Sequence, residues 1–125
     1  MNPTPQIDIE VLSYYLQEQS EPETGLYVFA YQITIRNLGQ QPVQLLNRHW
    51  IITDGNGETM EVQGAGVVGE QPVIEPGKSF QYSSGTHLDT PVGTMQGSYE
   101  MIDAEKQLFQ AEIPAFSLQM PGKLH

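Results

Sequence analysis

The chain has 125 residues, no cysteine, and fifteen Asp and Glu against five Lys and Arg, a formal net charge of −10. That length fits one domain with a real core. The lack of cysteine excludes disulfides, thiolate metal sites and cysteine nucleophiles, and the acidic field repels phosphate backbones and anionic lipid, so nucleic acid and membrane are not expected partners.

Residues Ile7 to Leu16 open with period-two alternation: Ile7, Ile9 and Val11 share one face, Asp8 and Glu10 the other. This predicts a strand. The alternation blurs after Leu12, which predicts a bulge or a change of partner strand at Ser13–Leu16. The acidic stretch Gln17 to Gly25 predicts a loop. Leu26 to Leu38 is the strongest strand signal, with Tyr27, Phe29, Tyr31, Ile33 and Ile35 on one face. Asn37–Pro42 turns the chain.

Val43 to Asp54 predicts a third strand with a polar middle, Asn47-Arg48-His49, before Trp50-Ile51-Ile52. Asp54-Gly55-Asn56-Gly57 has the residues of a tight hairpin, and Glu58 to Gln63 pairs back as a fourth strand. Glycines and prolines punctuate Gly64 to Gly77. Ser79 to Ser84 predicts a short fifth strand, Gly85 to Gly93 a long loop, Thr94 to Ile102 a sixth strand and Gln107 to Ile113 a seventh. Pro114–Leu118 returns as a candidate edge strand.

No segment carries a helical period long enough to predict a helix. Seven or so short strands at regular spacing predict an all-β, immunoglobulin/fibronectin type III-like β-sandwich, of the kind without cysteine. The whole chain, 1–125, reads as one domain with a core from about 7 to 118; residues 1–6 and 119–125 are expected to fray. The N-terminus carries no signal-peptide pattern, and no apolar run is long enough to span a bilayer; with the missing cysteine this gives a cytoplasmic expectation.

Gly64-Ala65-Gly66-Val67-Val68-Gly69 matches G-x-G-x-x-G. In dinucleotide-binding folds that motif leads from a strand into a helix whose N-terminus holds pyrophosphate. Here Pro72 and Pro76 follow and break any such helix. The structural reading is a glycine-hinged loop between strands, with Val67 and Val68 tucked under it or displayed. Gly64, Gly66, Val67, Val68 and Gly69 therefore form a candidate binding loop, and a backbone anion nest stays open. Asp54-Gly55-Asn56-Gly57-Glu58 begins like a calcium loop but has Thr59 and Ala65 where Gly and Glu are needed.

Candidate catalytic groups are thin. Ser83 or Ser84 with His87 and Asp89 makes a triad on paper, without a nucleophile elbow or an oxyanion motif. No catalytic residue, metal ligand or cofactor is assigned. His49 reads as an interior or hydrogen-bonded structural histidine. Trp50 reads as a core pillar first and an exposed partner anchor second.

Tyr27-Val28-Phe29-Ala30-Tyr31, Ile33–Asn37, Leu46–Asp54 with its Arg48-His49-Trp50, Gly64–Pro72, Pro76-Gly77 and Thr94–Tyr99 together resemble the ApaG (CorD) family, from about Ile7 to Leu118. The resemblance implies a fibronectin type III-like sandwich. It also implies a genetic association of bacterial members with cobalt resistance and magnesium efflux. Related eukaryotic domains, in an F-box protein and a DNA-polymerase-interacting protein, look like protein-interaction modules. No catalytic residue carries over. The expected function is a non-enzymatic protein–protein interaction module with an unidentified protein partner. The alternative is a binder of a divalent cation or polyphosphate nucleotide at the glycine-rich and acidic loops. A homodimer through edge strands such as Ile7 to Leu16 is left open.

Overall fold

The computed structural model describes residues 6–122. The expected fraying of 1–5 and 123–125 lies outside the described residues. The strands are β1 (Ile7–Tyr15), β2 (Tyr27–Asn37), β3 (Val43–Asp54), β4 (Thr59–Ala65), β5 (Val73–Ile74), β6 (Ser79–Leu88), β7 (Val92–Asp103) and β8 (Leu108–Gln119). One sheet runs β1-β2-β6; the other runs β4-β3-β7-β8, with β5 also on β3. All pairings are antiparallel. Among the described residues the only helical turns are two short 3₁₀ turns between β1 and β2.

β2 shows why this sequence makes a sandwich. Phe29, Tyr31, Ile33 and Ile35 are buried on one side, while Gln32, Thr34 and Arg36 face out. Aromatic and β-branched side chains fill the space between the pleated sheets. Ile9, Tyr82 and Leu88 join them from the smaller sheet. Leu45, Trp50, Ile52, Met95, Tyr99, Met101, Ile113 and Leu118 supply the facing layer. Trp50 stands at the centre. Its ring meets Tyr31 at 5.5 Å, Phe116 at 5.9 Å and Tyr99 at 6.5 Å, all edge-on, the arrangement aromatic quadrupoles favour. The core-pillar reading of Trp50 stands; with 2% exposure it offers no surface to a partner.

Several boundaries depart from expectation. β1 holds an unbroken register with β2 from Ile7 to Tyr15, so it neither bulges nor changes partner. The blurred alternation arises because Leu12 and Tyr14 stand exposed on the outer face. The register shifts lie instead at Leu46, between β3 and β7, and beside Pro114, between β7 and β8. Proline cannot donate to a ladder, so the shift falls where β8 has no N–H to offer. β6 continues through Gly85 to Leu88 and β7 begins at Val92, which together replace most of the expected loop and place His87 on a strand. Gly85 fits a strand because a Cβ there would press on Phe29 O at 3.1 Å. The ends are tied further than expected: Leu38 N–H bonds Gln6 O, and Met120 N–H bonds Pro91 O.

Two buried polar groups brace the core. Asn37 donates to Gln41 O and Ile74 O and accepts from Gly39 N–H, so its amide fixes both the β2–β3 turn and β5. The hydroxyls of Tyr82 and Tyr99 bond to each other across the two sheets. Burial raises the pKa of both phenols, and that of Tyr31, above the ordinary 10.0. Tyr99→Phe is expected to cost about 1–3 kcal/mol, because Tyr82 keeps a buried hydroxyl without its partner. The Tyr82→Phe/Tyr99→Phe pair should cost less than the sum of the singles, a difference that urea titration of all four proteins reads. The folded state keeps protons that the unfolded chain releases near pH 10.0. Stability is therefore fully present below that pH and falls as pH rises above it. The double variant should lose less over that range.

Candidate functional site

β4 ends on Ala65, and the chain turns back to β5 through Gly66–Pro72. Val67 N–H bonds Glu70 O at 2.8 Å, and Glu70 N–H bonds Val67 O at 2.9 Å. Between them, Val68 at φ +42° and Gly69 at φ +82° both take left-handed conformations, the pattern of a type I′ hairpin turn. The motif is therefore strand, turn, strand. Gly66 is obligatory: its φ is +64°, and a Cβ would lie 2.3 Å from Glu70 O.

The two valines divide the alternatives left open by the sequence. Val67 is buried at 1% exposure, and Val68 is 56% exposed at the tip. A β-branched residue at positive φ is strained. Here the strain sits on a displayed apolar side chain.

Arg48 clamps the loop from below. The bulge at Leu46 puts Arg48 and Trp50 on the same face of β3 as Leu45, turned toward the interior. Its guanidinium donates to Ala65 O at 3.0 Å and Gly66 O at 2.9 Å. Gly64, directly opposite on β4, leaves room: a Cβ there would come within 2.9 Å of the guanidinium. Gln71 Nε2 donates to Leu46 O, and Leu45 N–H bonds Pro72 O, so both ends of the loop are fixed to β3. Gly66 N–H also bonds Leu46 O. The N–H groups of residues 66, 67 and 70 are thus consumed within the fold.

His49 is not interior. It stands on the outer face of the larger sheet, partly exposed, with Nε2 3.7 Å from Glu61 Oε1 and without a hydrogen-bond partner. Arg48, Gly64, Gly66, Val67, Val68 and Gly69 therefore come together at the loop, while Trp50 lies in the core opposite Val62 of β4 and His49 faces outward. The paper triad lies on β6 and the turn after it. Among the described residues no group of three or more His, Asp or Glu could hold a metal ion. Sequence reasoning missed Gln71 and Asn37 as fasteners; side-chain amides carry no pattern that announces a long-range bond.

Two antiparallel sheets around one aromatic core define an immunoglobulin/fibronectin type III-like sandwich protein. Residues 17–103 match the family described as ApaG domain. The chain is 56% identical to Protein ApaG of Erwinia tasmaniensis over 125 residues, covering 100% of both chains. It is 55% identical to Protein ApaG of Escherichia coli O1:K1 over 122 residues, covering 98% of each. The solved structure of an ApaA protein from Bordetella pertussis superposes with a TM-score of 0.92 at 44% identity, covering 95% of this chain and 97% of that one. The chain belongs to the ApaG family.

Proposed function

We propose that the protein is a non-enzymatic, cytoplasmic interaction module that contacts a protein partner through the tip of the β4–β5 loop. One observation carries this reading: a rigidly fastened turn displays Val68 in a strained conformation while Val67 beside it is buried. Strain retained at an exposed position points to a use for that position. Cobalt and magnesium phenotypes, implied by the family resemblance, then act through the partner.

A polyphosphate at this loop has less in its favour. Among the described residues no helix N-terminus faces it, and Arg48 is committed to carbonyl oxygens. Arg36 is committed as well, to Asp8 at 3.1 Å and Glu10 at 3.2 Å.

The test is affinity capture from the source cell's lysate with wild type beside Val68→Asp. Val67 stays untouched, because an aspartate at that buried position would unfold the loop. A partner held by wild type and lost by Val68→Asp supports the reading; identical captures by both baits refute it. Val68→Asn supplies a second measure. Asparagine tolerates the left-handed region, so this variant should gain about 1 kcal/mol in urea titration while losing the same partner.

A further inference from the structure

The four sheet edges are not alike. β1 and β8 lie against one another, and Ser13 Oγ donates to Ser117 O across the seam. β4 and β6, on the opposite side, have no strand beyond them among the described residues. Exposed edges are commonly blunted by lysine, proline or a bulge. β4, Thr59-Met60-Glu61-Val62-Gln63-Gly64-Ala65, has none of these: its register with β3 is unbroken.

The edge has a defined polarity. Asp54 N–H to Glu58 O and Gly66 N–H to Leu46 O bracket the β3–β4 ladder. Antiparallel alternation between those bonds makes Met60, Val62 and Gly64 the residues that exchange bonds with β3. Thr59, Glu61 and Gln63 turn their N–H and C=O groups outward. Their side chains lie on the outer face, where Glu61 supplies a carboxylate. Met60 and Val62 lie on the inner face, and Met60, which overhangs the seam, is 49% exposed. Beside it a cleft of about 190 Å³ opens between β4 and the end of β6, floored by Ile52 and Leu88 and rimmed by Asp54, Glu58 and Asp89.

We infer that the β4 edge takes an extended, basic segment of a partner protein as an added strand. The outward N–H and C=O groups give main-chain bonding. Alternation of the added strand sets one face of its side chains beside Glu61 and the other beside Met60 and Val62. The fitting segment therefore alternates lysine or arginine with aliphatic residues, and a further basic residue meets Asp54, Glu58 and Asp89. A second copy of this chain fits less well, since it would bring its own Glu58 and Glu61 against these carboxylates. This inference rests on the reading of the protein as an interaction module and names a surface separate from Val68.

The probes are two seven-residue peptides, matched to the seven residues of β4, one alternating lysine with valine and the other glutamate with valine. Binding is followed by NMR on isotope-labelled full-length protein, with amide exchange as the readout. The Lys-Val peptide should slow exchange of Glu61 and Gln63 N–H, weaken as salt rises, and have no Glu-Val counterpart. Gln63→Pro removes an outward N–H without touching the β3 ladder and should weaken binding about tenfold. Glu61→Lys keeps the backbone and should weaken it through charge alone. Equal binding of both peptides, protection on β6 instead of β4, no binding of either peptide, or self-association lost in Gln63→Pro would each overturn the inference. A partner that survives Gln63→Pro but is lost with Val68→Asp would overturn the edge and leave the module reading standing.

Discussion

Trp50→Ala will lose about 3–5 kcal/mol of folding free energy, the range for removing a large buried aromatic. The indole at this position is 2% exposed and contacts rings from both sheets and from β8. No neighbour can collapse into the space, because Tyr99 is held by its bond to Tyr82 and Phe116 follows the register shift beside Pro114. Urea titration by circular dichroism should show the midpoint falling with little change in slope. Trp50→Phe keeps part of the stacking and should recover about half of the loss. A loss under about 1 kcal/mol for the alanine variant would mean that the two sheets are held together elsewhere.

Gly97→Ala is expected to be nearly as damaging for the opposite reason. Gly97 sits opposite Trp50, next to the register shift in β7. A single Cβ there would lie 2.0 Å from His49 O and 3.2 Å from Trp50 Cα. Both are backbone atoms of the central strand, so no rotamer change relieves the overlap. β3 and β7 must part, at a cost of about 3 kcal/mol or more. For a domain of this size that lowers the melting temperature by roughly 10–15 °C. Ser98→Ala, one residue along and facing outward, is the control and should be close to neutral. An unchanged melting temperature for Gly97→Ala would show that the two strands run further apart than described.

The fold was legible where burial follows a strict period of two. β2 alternates without interruption, and its buried residues are the ones its sequence pattern selects. Legibility failed where a slip or a glycine intervened. A one-residue bulge at Leu46 reverses which side chains of β3 face inward, so Arg48 reads as part of a polar surface and is found under the loop. Gly85 reads as the end of a strand and lies within one. Leu12 and Tyr14, apolar but outward, imitate a bulge. At the candidate site the glycines were visible as turn formers. The separate fates of Val67 and Val68 depend on which residue closes the Val67–Glu70 pair, and sequence spacing does not carry that choice.

The order of strands in the two sheets sets a problem of timing. β2 and β3, which carry much of the core, each lie between neighbours, yet β2 needs β6 and β3 needs β7, segments that leave the ribosome much later. A nascent chain ending at Ala65 has β1 beside β2 and β4 beside β3, with one long side of both β2 and β3 still bare. Contacts so distant in sequence form slowly, and bare apolar strands stick to one another while they wait. The same topology that closes the mature core around Trp50 therefore leaves the half-synthesised chain with apolar strand faces that only its later strands can cover.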